Sequence, residues 1–179
     1  MPRPPDLEKR ERILTAAIAV FIEKGYQGTT ILAIEARAGL ASSHIYTYFN
    51  DKEHLLVEVV HRMELEHITL STNLTKKSVE LDDEQFVEKF YEAQQTIRDR
   101  VRFIASVVFS PSLAHLFGEY DFDYSDVFLP FLTEFPNELA VNTARALMDI
   151  SIGYFLIGDI DDAKAASLSV LKGSRALLR

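Results

Sequence analysis

The chain has 179 residues, 47% hydrophobic and 26% charged, which fits one ordinary folded domain or two small ones sharing a core and excludes wholesale disorder. Cysteine is absent, so disulfide scaffolds, thiol nucleophiles and cysteine-based zinc sites are excluded as well. The formal net charge is −8, yet residues 1–60 carry seven Lys/Arg against eight Asp/Glu, so most of the acidity lies beyond them and a phosphate-binding face near the N-terminus stays open. Met1-Pro-Arg-Pro-Pro-Asp leads into a charged segment, and no apolar run reaches the ~18 residues of a membrane span, so a cytoplasmic protein without a membrane partner is expected.

Ile13, Leu14, Ala17, Ile18, Phe21 and Ile22 recur at three- and four-residue spacing and predict an amphipathic helix, with Asp6 as N-cap and Gly25 as a left-handed C-cap. Thr29-Thr30 caps a second, short helix with Ile31, Ile34 and Ala38 on one side, and Gly39 closes it. Ser42 to Phe49 reads as a third short helix with Ile45 and Phe49 stacked at i, i+4. Asn50 and Glu53 make a capping-box variant that opens a long fourth helix, Asp51 to about Leu70, with a core stripe of Leu55, Leu56, Val59, Val60 and Met63. Two short helices joined by a glycine-containing turn and braced by longer ones form the helix-turn-helix pattern.

Polar residues between Ser71 and Glu84 predict a helix break, giving a helix-turn-helix domain at 1–50, a connecting helix at 51–70 and a larger domain at 71–179. From Gln85 one long helix is expected through Phe86, Phe90, Ala93, Ile97, Val101, Ile104 and Val108, ended by Ser110-Pro111. Short helices and turns follow over 112–135, and then two helices, Pro136 to Gly158 and Asp161 to Leu178, hinged at Gly158-Asp159. With no β alternation and no repeat, the fold class is all-α.

The stretch Arg12-Ile-Leu-Thr-Ala-Ala, Phe21, Lys24-Gly-Tyr, Thr29-Thr-Ile, Ile34, Ala38-Gly-Leu and Ile45-Tyr-Thr-Tyr-Phe-Asn-Asp-Lys-Glu53, with Leu55, resembles the N-terminal domain of TetR-family transcriptional regulators over about residues 9–60. The resemblance implies a third helix that enters the DNA major groove. Ser42, Ser43 and His44, at its start and directed away from Ile45, are then the candidates for base edges. Tyr46, Thr47, Tyr48 and Lys52 suit the DNA backbone, and Thr30 would put its hydroxyl and nearby helix amides on a phosphate. The competing reading is aromatic packing: it takes Phe49, shares Tyr46, and is disfavoured for Ser43, Tyr48 and Lys52. Leu32, Ala33 and Ala41 depart from the basic, polar and serine residues common in the family. The third helix also lacks Lys and Arg, and the nearby basic residues are Arg3, Lys9, Arg10, Arg12, Arg37 and Lys52. Modest, weakly guanine-directed DNA binding is therefore expected, with the N-terminal arm and dimerisation supplying much of the affinity.

Ten of the twelve phenylalanines lie between Phe86 and Phe155, enough for a core and for an aromatic-lined pocket. Phe90, Gln94, Arg98, His115, Tyr120 and Phe128 are the candidate ligand-binding residues, for a small hydrophobic or aromatic effector. The last two helices carry more apolar surface than one face needs, and the resemblance implies a homodimer through them, with Ala140, Ala144, Leu147, Ile152, Phe155, Leu168 and Leu171 as candidate interface residues and Ala144, Gly153 and Ala166 allowing close approach. Two major grooves ~34 Å apart call for the same two-fold symmetry.

Glu58-x-x-His61 and Glu64-x-x-His67 have the spacing of di-iron ligands, but both lie on one helix and point different ways, so they read as a solvated face with no metal. No nucleophile elbow, P-loop or dinucleotide fingerprint is present, so neither an enzyme nor a cofactor is expected. The expectation is a homodimeric, ligand-responsive repressor of palindromic operator DNA. The alternative is a TetR-like helical protein with weakened or lost DNA binding, acting as a ligand- or protein-interaction module.

Overall fold

The computed structural model describes residues 6–40, 44–118, 124–156 and 158–178, and these are helical with no strand among them. Among the described residues seven α-helices run in chain order: α1 (Leu7–Gly28), α2 (Ile31–Ala38), α3 (Lys52–Lys77), α4 (Asp83–Gln95), α5 (Arg98–Val108), α6 (Asn137–Leu156) and α7 (Ile160–Ala176). Three 3-10 segments, Ile45–Thr47, Ala114–Leu116 and Ser125–Phe131, lie in the connections. The helices divide between two compact units. One takes the described residues of Met1–Glu64 and Phe103–Tyr120, the other those of Leu65–Arg102 and Asp121–Arg179.

In the first unit the apolar stripe of α1 packs on α2. Ile13, Ala17 and Phe21 are fully buried, as are Ile34, Ile45 and the α3 stripe Leu55, Leu56, Val59 and Val60, with Phe49 and Met63 nearly so. Burying each of these larger side chains is worth about 1.5–3 kcal/mol, which makes this set the main stabilising term of the unit. Asp6 caps α1 by accepting from the Lys9 amide. Gly25 interrupts α1, but at φ 66, ψ 173 it is not left-handed helical, and one further turn follows before Thr29. Thr29 Oγ1 then donates 2.7 Å to the Gly25 carbonyl freed by the break.

Four expectations need correction. Ser42–Phe49 is not an α-helix in its described part: Ile45–Thr47 is a single 3-10 turn. Ile45 O accepts from both the Tyr48 and Phe49 amides at 2.9 Å, Ile45 and Phe49 are both still buried, and β-branched Ile45 and Thr47 do not favour extension. Asn50 is not the cap of the next helix. Asp51 Oδ1 accepts from the His54 amide at 2.7 Å, so the cap is shifted by one residue, and His54 Nδ1 accepts from the Asn50 amide just before it.

The break expected between Ser71 and Glu84 falls at 78–82, but the helix before it runs to Lys77 rather than to about Leu70. Ser71, Thr75 and Ser78 share one inward face and are buried with their hydroxyls satisfied. Ser71 accepts from Gln94 Nε2, Thr75 donates 2.6 Å to Val127 O, and Ser78 donates to Leu74 O. Finally, the long helix expected from Gln85 is two: the Thr96 hydroxyl donates to Ala93 O, and the Thr96 and Ile97 amides bond tightly back to Ala93 and Gln94, which turns the chain between α4 and α5.

The second unit is built on α4, α6 and α7, with the 3-10 segment at 125–131 packed on α6. Its centre is aromatic, led by Phe86 stacked on Phe131 at 3.7 Å between ring centroids, with Phe90 against Tyr91 and Phe128. Asp82 and Gln85 form a full capping box on α4, and Asp159 caps α7 at the expected hinge. No described helix is long and apolar enough to cross a membrane.

Candidate nucleic-acid interface

Thr30 stands exposed at the start of α2, with Oγ1 accepting from the Ala33 amide at 3.2 Å, so its hydroxyl hydrogen is left to donate outward. Gly39 ends α2 in the left-handed region at φ 64, ψ 37. Arg12 Nη2 reaches from α1 to donate 2.6 Å to Ala38 O, which fixes that end. On the 3-10 turn, Ile45 and Phe49 point into the core while His44, Tyr46 and Thr47 are exposed and Tyr48 is half-buried. This alternation leaves a short polar and aromatic surface with no internal task. Ser42 and Ser43, and the departure at Ala41, lie outside the described residues. Leu32 is 67% exposed, so the residue in a basic family position is an apolar side chain in solvent.

Lys52 is the first residue of α3, its Nζ 4.1 Å from the Tyr26 ring centroid. Desolvation there lowers the ammonium from the usual lysine value. Burial, with the nearby charges of Glu53 and Asp51 behind it, raises the Tyr26 phenol. Tyr26 thus stands against a candidate site residue, a neighbour that periodicity does not mark because the break at Gly25 takes it off the helical track. The other basic residues expected near this surface are engaged elsewhere. Lys9 pairs with Asp6, Arg10 with Glu58 at 2.7 Å, and Arg37 with Glu23 at 2.9 Å, while Arg12 holds α2. Arg3 lies outside the described residues.

Four of the six candidate effector residues, Phe90, Gln94, Arg98 and Phe128, lie in the second unit. Phe90, Gln94 and Phe128 are buried in it, and Tyr120 lies outside the described residues. Arg98 donates from Nη2 to Tyr154 O and Gly158 O, lies 4.6 Å over the Tyr154 ring, and keeps a buried Nε without a partner among the described residues. Gln94 donates to Ser71 Oγ and turns its other end toward His67, without a well-formed bond there. His115 is a correction: it is exposed on a turn of the first unit and takes no part in this interior. His67 is another, since it is half-buried against aromatic rings rather than on a fully solvated face. It sits edge-on to Phe155 at 5.8 Å and to Tyr124 at 6.1 Å, and desolvation lowers its pKa to about 4, partly opposed by Gln94. Of the other residues in the two Glu/His pairs, His61 is exposed and Glu58 is bound to Arg10. Among the described residues no group of three or more metal-ligating side chains gathers.

Five of the seven interface residues assigned to the last two helices need correction. Ala140, Ala144, Leu147, Phe155 and Leu171 are at most 7% exposed within one chain, so they have no surface left to offer a second copy. Ile152 and Leu168 are half-buried against the same core. The apolar periodicity of these helices marks their inner side, and away from it lie Asn142, Ala146 and Gly153 on α6 and Ala166, Gly173 and Leu177 along α7 and its C-terminal end.

A glycine-closed pair of helical segments with an outward polar turn, braced by α1 and α3, defines a helix-turn-helix domain. Residues 13–59 match the family model described as bacterial regulatory proteins, tetR family. The family match covers this N-terminal domain, which is of the TetR type. The HTH-type transcriptional repressor KstR of Mycolicibacterium smegmatis is 39% identical over 66 residues, 37% of this chain and 32% of that protein. The HTH-type transcriptional repressor NicS of Pseudomonas putida is 35% identical over 95 residues, 53% of this chain and 39% of that protein. These alignments therefore take in less than half of either relative's length. The fold extends the likeness. A TetR-family regulator from Mesorhizobium loti superposes with a TM-score of 0.68 at 20% identity, over 96% of both chains. A regulator of the TerR/AcrR family from Aquifex aeolicus does so with 0.63 at 24%, over 92% of this chain and 98% of that one. The matched proteins are transcriptional regulators, a non-enzymatic family.

Proposed function

We propose that this protein is a cytoplasmic, ligand-responsive transcriptional repressor that binds a palindromic operator as a homodimer. The observation that carries the reading is the outward surface of the turn at His44–Tyr48, set between Thr30 at the start of α2 and Lys52 at the start of α3, with Ile45 and Phe49 anchoring it from behind. Thr30, Tyr46, Thr47, Tyr48 and Lys52 are the residues for the DNA backbone; His44, with Ser42 and Ser43, takes the base edges. The homodimer forms through the outward faces of α6 and α7, where Ala146, Gly153, Ala166 and Gly173 permit close approach. The effector is a small hydrophobic or aromatic molecule with hydrogen-bonding groups. Buried Gln94 and half-buried Arg98, in the same unit as Phe90, Phe128 and Tyr154 and each with a buried polar atom unsatisfied, support that choice. Effector binding acts by favouring one arrangement of the two DNA-binding domains over another.

A second reading, a TetR-like module that has lost DNA binding, draws support from one observation. Arg10, Arg12 and Arg37 are all held internally, and Leu32 is exposed where the family commonly has a cation. Selection of the purified protein against a random-duplex pool separates the two. Enrichment of a palindrome supports the repressor; a folded, dimeric protein that enriches nothing, with or without candidate effectors, supports the module.

A further inference from the structure

We propose that Tyr26 is a positioning residue for DNA binding: its ring holds the Lys52 ammonium in place for a backbone phosphate. The proposal rests on the reading above, in which Lys52 is a phosphate contact.

Lys52 Nζ stands 4.1 Å from the Tyr26 ring centroid, well inside the ~6 Å range of a cation–π contact. A lysine in the first turn of a helix faces the positive end of the helix dipole, an unfavourable place for a cation. Lys52 occupies it with no carboxylate or carbonyl partner among the described residues, whereas Lys9, Arg10 and Arg37 each have a carboxylate and Arg12 has a carbonyl. Its charge is therefore held beside the ring without a bonded carboxylate, even though Asp51 and Glu53 lie nearby, which leaves the ammonium able to take an anion.

Tyr26 is itself held. Its ring stacks on Phe21 at 6.1 Å and 15°, and the fully buried Phe21 stacks in turn on Phe103 at 5.6 Å. The positive φ at Gly25 turns the chain out of the α1 track just before Tyr26. A free lysine loses much rotamer freedom when it binds; a ring that already holds the head removes part of that cost before DNA arrives.

The test is a double-mutant cycle read as affinity for the duplex recovered from the random-pool selection, with thermal melting to confirm that each variant folds. Tyr26→Phe keeps the ring face and should bind within about twofold of the parent, while Tyr26→Leu should bind about five- to tenfold more weakly. Lys52→Met should lower the salt slope by about one for each phosphate contact it removes. In the Lys52→Met background, Tyr26→Leu should change affinity by less than about twofold, because the positioned group is gone. Equal losses in both backgrounds would show that Tyr26 acts on the fold rather than through Lys52, and would overturn the proposal; so would no loss in the parent. If Tyr26→Leu does not fold, Tyr26→Met replaces it in the cycle, and failure of both assigns Tyr26 to the core and overturns the proposal. A parent that binds no duplex sinks the DNA-binding reading first and this role with it, whereas a binding parent with an additive cycle sinks this role alone.

Discussion

Arg12 Nη2 donates a 2.6 Å hydrogen bond to Ala38 O, and so a side chain of α1 closes the last turn of α2. The carbonyls at a helix end are left without intrahelical partners, and a guanidinium there answers both the missing donor and the negative end of the dipole. Arg12 is thus a structural part of the helix-turn-helix, although its charge alone would suggest a DNA contact. Arg12→Ala should destabilise the domain by about 1–2 kcal/mol, the worth of a charge-assisted bond that is partly exposed. Thermal melting would show the loss, while the salt slope of duplex binding should stay at the parent value. A slope reduced by about one for each phosphate contact removed, with no change in melting, would mark Arg12 as a phosphate contact instead.

Two glycines with nearly equal φ should respond differently to substitution. Gly39 is left-handed helical at φ 64, ψ 37, a region asparagine also adopts. Gly25 is at φ 66, ψ 173, which is essentially glycine-only. Gly39→Asn should therefore cost less than about 1 kcal/mol and Gly25→Asn about 1–3 kcal/mol, even though an added Cβ at Gly25 would meet nothing within 4 Å. Melting of the two variants side by side gives the order directly.

His67 gives the second unit a definite pH dependence. Its folded pKa of about 4 lies below the unfolded value of 6.5, so the unfolded chain binds the extra proton across that interval. Its contribution to stability is complete above about pH 6.5, is lost progressively as the pH falls toward 4, and changes no further below that. The full loss is up to about 3 kcal/mol. His67→Leu removes the titration and should flatten that part of the melting profile. The imperfect fit of leucine beside Gln94 should lower stability by a similar amount at every pH. A variant profile parallel to the parent between pH 6.5 and 4 would place the acid sensitivity elsewhere.

The first unit is largely legible in the sequence because local signals agree there. The α1 and α3 stripes, the Thr30 cap and Gly39 each predict the element they form, and every one of the stripe residues Leu55, Leu56, Val59, Val60 and Met63 is buried. Partner geometry is not legible. Tyr26 reaches Lys52 only because of the backbone turn at Gly25, and Arg12 finds Ala38 across 26 residues of chain. In the second unit, composition misleads. Ser71, Thr75 and Ser78 suggest a break because hydroxyls are common in loops, yet their i, i+4, i+7 spacing sets them on one inward face with specific partners. His67 is hidden for the converse reason, since a histidine among glutamates reads as surface until Phe155 and Tyr124 close over it. On α6 and α7 the apolar residues expected at a dimer surface are the inner face of the single chain; periodicity identifies a stripe but not which body it meets.

The central claim is that the surface around His44 and Tyr48 binds operator DNA, and the most direct measurement is a titration of the selected duplex with the parent and with His44→Ala/Tyr48→Ala at ~50 and ~200 mM salt. The account predicts parent affinity that falls by about 50-fold or more between the two salt concentrations, and a double variant that melts like the parent but binds at least about tenfold more weakly. A folded double variant that binds as tightly as the parent, or parent binding indifferent to salt, would contradict it.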